Sequence, residues 1–588
     1  MDESEGALIW GEDGQPRSRL YGDVYFSTSD GLAESRAVFL QGAGLPEAWA
    51  GRQRFTVAEL GFGSGLNIAA LLDLWRTTRP DGARLHIFSI EAHPLTAQEA
   101  ARALAAWPEI AEVADLMVAR WPGRARGVHR TEFPELDAIL DVAIGGVEVG
   151  LAGWDGQADA WFLDGFSPAV NPAMWRDEVL AAVAARSAPG ARAATFTVAG
   201  QVRRGLAAAG FVVSKRPGFG RKRERLEAVF PGDRPQGAGP VRVAVIGAGV
   251  AGASVARALR ALGVSAAVVE AAGVGAGASG NPVALVTPRF DAGLGDPAEL
   301  AARAFARAVT LYEATAGVVV EHGVTRLVAE GREAARMAKI AGADLFEPDE
   351  LTLGEALAIR RALVVVPPAI LSAWLPALAA GHVAAIRRDG VSWRLEDETG
   401  AEILKVDVVV VAAGLGAAAL LGDLGLSPVR GQLTIAPGAT GAAMEWGGYV
   451  AGSPIGLAFG ATHDRGDTGL EVREADHARN LATLAQACPD LAARLVGRSL
   501  IGRASVRAAT ADHMPIAGAI GEGLYVLGGF GGRGFSFAPL LAEHVAAKIA
   551  GAASPLPRRL ARLIDPTRFR SPVSKPADGS YVGVKGKP

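Results

Sequence analysis

Two glycine-rich turns of different pattern, each followed by a carboxylate that ends a further apolar run, are the stretches of this chain best suited to chemistry. In the first, Glu59 precedes Gly61, Gly63 and Gly65 in G-x-G-x-G spacing. Asn67 closes that motif, and Glu91 ends the next apolar run, Leu85–Ile90. In the second, Gly247, Gly249 and Gly252 stand in G-x-G-x-x-G spacing, and Glu270 follows 18 residues after the last of them. Glycines at a strand-to-helix turn let the backbone approach a ligand closely, and an acid at the next strand end can accept hydrogen bonds from ribose hydroxyls. The second pattern suits a dinucleotide, its pyrophosphate at the helix N-terminus. The first suits S-adenosylmethionine, with Glu91 on the ribose and the turn against the methionine part. A bare glycine turn of a doubly wound sheet is the bland alternative for both.

Asp164 is a third candidate. It follows the apolar run Ala158–Leu163 and leads Gly165-Phe166-Ser167-Pro168. A carboxylate at the carboxyl end of a central strand points into the crevice where such sheets bind ligands. An alkylamine, with a pKa of about 10, must lose a proton before it can attack a methyl group, and Asp164 could orient the amine and take that proton. An Asp that caps the turn accounts for the same residues equally well.

The elements that must position these groups are legible as periodicity. Phe55–Leu60 reads as a buried strand before the first turn and Ile68–Trp75 as the helix behind it. Val241–Ile246, Ala253–Leu262 and Ser265–Val269 read as the strand, helix and strand of a second βαβ unit. Gly275–Pro282, with Ser279 and Gly280, forms a further polar loop ready for a phosphate. The strand Val406–Val411 ends in Ala412-Ala413-Gly414, a return strand typical of flavoproteins in which a substrate domain interrupts a dinucleotide domain. Alternating, Pro/Gly-punctuated segments between about 425 and 500 fit an antiparallel sheet. Near the C-terminus, Gly528, Gly529, Gly531, Gly532 and Gly534 permit close approach to an isoalloxazine edge, and a helix is expected after Pro539. The Pro/Gly-rich stretch 233–240 separates a module of residues 1–232 from one of 241–588.

Composition narrows the class. A chain of 588 residues exceeds one core, and half hydrophobic residues with 75 glycines describe a globular protein with ample material for buried sheets, which the two strand–turn–helix units make α/β. A net charge of −3 makes any surface for a polyanion local. Such a surface is expected at Arg203, Arg204, Lys215, Arg216, Arg221, Lys222, Arg223 and Arg225, interleaved with Phe211 and Phe219 and opposed there only by Glu224. The basic tail (Arg558 to Lys587) reads either as further phosphate contact or as a solvated end. The single cysteine, Cys488, excludes intramolecular disulfides and cysteine-based zinc sites and fits a reducing cytoplasm. The nine histidines show no metal-ligand pairing, so no metal is expected. The N-terminus lacks a signal-peptide core, and the apolar run Val364–Ala380 is broken by three prolines, so neither reads as a membrane span.

The segments ELGFGSGLN, IEAHPLT, AWFLDGFSPAVNPAMW, ATFTVAGQVRRGLAAAGF and KRPGFGRKRE resemble the methyltransferase half of the MnmC family of bifunctional tRNA wobble-uridine modification enzymes. That resemblance implies a class I, Rossmann-like methyltransferase acting on 5-aminomethyl-2-thiouridine at position 34 of tRNA, with Asp164 as the base. The family usually carries an acid near the adenine after the strand Ala138–Ile144, where this chain reads Gly145-Gly146. The later block SVRAATADHMP with LYVLGGFGGRGFSFAPLLAEHVA resembles the glycine, sarcosine and D-amino-acid oxidases, and more closely the oxidase half of the same bifunctional family. It implies FAD on a Rossmann domain with an inserted antiparallel substrate domain, and Arg507 and Arg533 matching the arginines that hold a substrate carboxylate. A guanidinium suits that task because its planar fork grips both oxygens. A buried structural ion pair is the alternative for either arginine, and His513 reads as a structural loop residue. The implied sequence is oxidative removal of the carboxymethyl group of carboxymethylaminomethyl-uridine through an imine that hydrolyses to glyoxylate, then methylation of the amine left behind. The rival is a small-molecule N-methyltransferase fused to a free-amino-acid oxidase.

Overall fold

The computed structural model describes residues 7–12, 14–27, 30–220, 222–233, 239, 241–460, 462–569 and 581–582. Arg221, most of the 233–240 stretch and the tail residues Arg570, Lys575, Lys585 and Lys587 lie outside the described residues. The chain divides into two compact units, Met1–Gly239 with Pro555–Arg558, and Pro240–Ser554 with Arg559–Pro588.

Strands Ala138–Ile144, Arg84–Glu91, Arg54–Leu60, Ala158–Leu163 and Ser187–Thr195 lie side by side in parallel at the centre of the first unit's sheet. Antiparallel edges complete it at eight strands: Gly127–Phe133 on one side, Glu224–Val229 and Val212–Pro217 on the other. The central runs are apolar because they are covered on both faces, as parallel sheets require. Phe55, Val57, Leu60 and the whole of Ala158–Leu163 are buried, with Trp49, Trp75 and Phe162 among the largest enclosed side chains. Each such burial is worth about 1.5–3 kcal/mol before conformational entropy is set against it. The helix Leu66–Thr78 starts directly from Gly65, and among the described residues no side chain caps its first amides.

In the second unit a mainly parallel sheet runs Leu378–Ala380, Ala266–Glu270, Val243–Ile246, Val408–Val411, Leu524–Gly528 and Ile516–Gly521, the last strand antiparallel. A ten-stranded, mostly antiparallel sheet is inserted into it, built around Leu426–Pro437 paired with Ile501–Thr510 and Gly456–Gly460. The substrate sheet expected from residues 425 to 500 is therefore too narrow. It also recruits Ala284–Val286, too short to show alternation, Val319–Arg326, whose pairing shifts register twice, and Leu357–Val365, interrupted by Arg360-Arg361.

The helix expected to begin after Pro539 begins at Gly534 and runs to Ala550, with Pro539 inside it. A proline there cannot donate to the carbonyl four residues back. The Tyr312 hydroxyl donates to that Phe535 carbonyl instead, at 2.9 Å, which lets the helix continue. Its Glu543 carboxylate is gripped by Arg257 and Arg307 from the helices Val250–Ala261 and Asp296–Glu313.

Candidate functional site

In the first unit, Arg54–Leu60 and Ala158–Leu163 run in register with Leu60 opposite Leu163, so the glycine turn and Asp164 emerge side by side. A Cβ on Gly61 would collide with the Asp164 carbonyl oxygen, and its φ is +93°, so only glycine fits at this strand end. Gly63 donates its amide to Glu91 at 2.8 Å, and the His93 amide takes the other Glu91 oxygen at 2.7 Å. Gly65 abuts Met117 and Trp121 beneath the turn.

A cavity of about 570 Å³ opens at this edge, lined by Gly61, Gly63, Asn67, Glu91 and Asp164. Asn67 Nδ2 donates to Asp164 at 2.6 Å and to Glu59 at 3.2 Å, while its Oδ1 accepts from the Ser35 hydroxyl at 2.7 Å. Enclosure pushes the Asp164 pKa up to about 7 despite the Asn67 bond, with Glu34 adding to the rise and Lys222 opposing it. Glu59 is fully buried below the turn, accepting from Ser89 at 2.7 Å, and burial drives it well above the usual carboxylate range. It braces Asn67 from below. Gly145 and Gly146 line the cavity with open space where a side chain would stand, and Glu148, paired with Arg176, lines the same wall.

Residues 21 and 23–26, which belong to no motif named above, wall this cavity. Tyr21 and Tyr25 pack their rings on Phe166, centroids 4.9 and 5.4 Å apart, and Asp23 accepts from the Ser167 amide at 3.3 Å. Aromatics among turn residues in DVYFSTSD were the only available hint.

The basic window divides. Lys215 pairs with Glu224 at 2.7 Å and Arg216 with Glu227 at 3.5 Å. Lys222 turns to the cavity, paired with Glu34 at 2.9 Å and lying 4.2 Å over the Phe196 ring. Glu224 is thus not the sole opposing acid: Glu227 follows the window, and Glu34 arrives from a helix remote in sequence. Arg203, Arg204 and Arg223 are exposed and make no side-chain bond or ion pair among the described residues.

In the second unit, Glu270 accepts from the amides of Ala248 at 2.7 Å and Ala272 at 2.8 Å, and Ser279 Oγ accepts from the Val250 amide at 3.0 Å. A side chain at Gly252 would strike the Gly247 carbonyl, which fixes how closely the helix Val250–Ala261 approaches its strand. At Gly247 it would meet the Ala412 carbonyl at 2.7 Å, and at Gly249 the Ser279 hydroxyl at 3.0 Å. Gly529 abuts Thr510 and Gly534 abuts Val250, whereas Gly414 and Gly532 face open space.

Arg507 donates to the Thr462 carbonyl at 3.2 Å and lies over Gly431, where no side chain leaves room for its guanidinium. Arg533 donates to the carbonyls of Pro288 at 3.1 Å and Thr287 at 3.4 Å. Neither forms an ion pair among the described residues, although burial lowers the pKa of both. A cation held only by uncharged oxygens retains capacity for an anionic ligand. A bridge between Ala509 and Phe530 holds the two segments together. His513 sits at φ +58° with its carbonyl accepting from Arg289 at 2.9 Å.

These donor sets fit the two implied groups. The first cavity offers a carboxylate, Glu91, held in place by two amides, and unfilled space at Gly145-Gly146. The second offers a strand-end carboxylate and open backbone at Gly414 and Gly532. Among the described residues no group of acids, histidines and cysteines could hold a metal, and no helix is long and apolar enough to cross a membrane.

A family model described as S-adenosyl-L-methionine-dependent methyltransferase matches residues 108–231, and one described as FAD dependent oxidoreductase matches residues 242–548. A protein of Caulobacter vibrioides named tRNA 5-methylaminomethyl-2-thiouridine biosynthesis bifunctional protein MnmC is 56% identical over 581 residues, covering 97% of this chain and 98% of its own. One of the same name from Maricaulis maris is 44% identical, covering 98% of each chain. The crystal structure of glycine oxidase from Geobacillus kaustophilus aligns with 56% of this chain and 100% of its own at 22% identity and a TM-score of 0.46.

Proposed function

The chain belongs to the MnmC family of bifunctional tRNA 5-methylaminomethyl-2-thiouridine biosynthesis proteins, and on that footing we propose that it performs two consecutive steps on the wobble uridine of tRNA in the cytoplasm. Residues 241–588 remove the carboxymethyl group of the carboxymethylaminomethyl base, and residues 1–232 methylate the resulting amine. When bound, FAD supplies a two-electron acceptor and S-adenosylmethionine a methyl group.

Arg507 and Arg533 hold the carboxylate of the N-substituted glycine, leaving its neutral amine and its methylene free to react. Loss of hydride from that methylene gives an imine, and water converts the imine to glyoxylate and the aminomethyl base. Asn67 and Ser35 keep Asp164 in one orientation. Asp164 takes a proton from the aminomethyl ammonium and so frees the nitrogen lone pair for the methyl group that bound S-adenosylmethionine would supply. Both halves work mainly by positioning. Arg203, Arg204 and Arg223 supply uncommitted cations that displace counterions from RNA phosphates.

The observation that most strongly supports the reading is the placement of Asp164, held by Asn67 at 2.6 Å, in one cavity with Glu91 and the glycine turn. The test is nucleoside mass spectrometry of tRNA treated with the purified protein. Carboxymethylaminomethyl-thiouridine is expected to become the aminomethyl form with FAD alone and the methylaminomethyl form once S-adenosylmethionine is added. Oxidation of free glycine or sarcosine as fast as the tRNA substrate would overturn it in favour of the small-molecule fusion.

A further inference from the structure

Arg503 belongs to no motif of the sequence, yet it makes four side-chain hydrogen bonds to one short segment. Its Nη2 donates to the consecutive carbonyls of Gly275, Ala276 and Gly277 at 3.3, 3.3 and 2.6 Å, and its Nη1 to Asn281 Oδ1 at 3.0 Å. No carboxylate pairs with it among the described residues. A side chain on Gly280 would strike the Gly275 carbonyl and come within 2.7 Å of Arg503 Nη2, so the segment is wound closely around the guanidinium.

The direction of those carbonyls matters. In a trans peptide unit the C=O and N–H point opposite ways. With the Ala276 and Gly277 carbonyls drawn to Arg503, the amides of Gly277 and Ala278 face away from it, and both lack a hydrogen bond among the described residues. Ser279, next in line, is joined to the first amide of the helix Val250–Ala261. Two free amides thus stand beside a helix N-terminus, a donor set suited to phosphate oxygens. Arg503 and Arg507 lie four residues apart on the unbroken strand Ile501–Thr510 and leave its same face.

We propose that Arg503 is a positioning residue for the dinucleotide: it shapes the 275–281 loop into a pyrophosphate grip and ties that grip to the strand bearing the carboxylate-holding Arg507. This rests on the reading of the second unit as FAD-binding. Guanidinium is the group for the task, because three carbonyls and an amide oxygen around one plane need a fork of donors, which an ammonium lacks.

The experiment titrates the FAD-free full-length protein with FAD and follows flavin fluorescence quenching. Arg503→Met is expected to raise the dissociation constant at least about tenfold, the scale of losing one charged hydrogen-bond donor. Arg503→Lys should fall between it and the native protein, and the FAD-free forms should melt together. If Arg503→Met does not fold, Arg503→Lys and Asn281→Ala carry the test, each with a smaller but measurable weakening. FAD affinity within twofold of native in the folded variants overturns the proposal. A native chain that does not bind FAD removes the underlying reading first, and the proposal with it.

Discussion

The amide nitrogen of Asn67 stands 2.6 Å from the carboxylate of Asp164 and donates to it, while the Ser35 hydroxyl donates to the amide oxygen. A donor locked in this sense favours the ionised acid and opposes the rise that enclosure causes. Replacing Asn67 with Ala is expected to move the Asp164 titration upward by about one pH unit, the equivalent of one charged hydrogen bond. The methylation pH profile reads this directly. Ser35→Ala, which frees the amide to turn over, should shift the profile the same way by less.

Asp164 itself predicts two pH dependences. As a base it must be ionised, so methylation should climb through about pH 7 and level off above it. Its folded pKa of about 7 exceeds the ordinary 3.8, so the folded chain keeps a proton that the unfolded chain gives up. Its contribution to stability therefore falls as pH rises between those two values and is constant above them. Asp164→Asn should abolish methylation, leave removal of the carboxymethyl group intact, and flatten that part of the stability curve in denaturant titrations.

Arg507 has a carbonyl and a glycine for company in place of an acid, so truncating it strands no buried carboxylate. Arg507→Met should fold and retain the flavin while losing kcat/KM for oxidation by about 100-fold or more, the range for a buried charge pair to a ligand. Arg507→Lys should recover little, since a point charge cannot replace a planar fork. Stopped-flow flavin reduction separates these outcomes.

The divided basic window predicts unequal effects on tRNA. Arg203→Ala with Arg204→Ala should weaken binding and reduce the magnitude of the log–log salt slope by about 1.5, near the loss of two phosphate contacts. Lys215→Ala should do much less, because Glu224 already neutralises that ammonium. Filter binding at several salt concentrations distinguishes them.

Local pattern carried the parts of the molecule that chemistry confines to short stretches. Both glycine turns, Glu91, Glu270 and the strand before Asp164 follow from residue type and spacing, since a strand–turn–helix unit is specified within some thirty residues. What pattern could not carry is what arrives from elsewhere in the chain. Glu34 neutralising Lys222, Ser35 locking Asn67, and Arg503 reaching the 275–281 loop are meetings between residues 188, 32 and more than 220 positions apart. Pro539 misled for the opposite reason. It normally marks a helix start, and only Tyr312, 223 residues before Phe535, makes an interior proline tolerable.

The strand order of the second sheet has a consequence for synthesis on the ribosome. Val243–Ile246 emerges early, but two of its sheet's members, Leu524–Gly528 and Ile516–Gly521, are translated some 270 residues later. At roughly 5–20 residues per second the nascent strand waits tens of seconds with its apolar faces incompletely covered, whereas the eight strands of the preceding sheet are all translated by residue 229. Chaperone demand during translation should therefore fall on the carboxyl-terminal half, and ribosome stalling downstream of residue 411 should expose it to proteolysis while the first sheet survives.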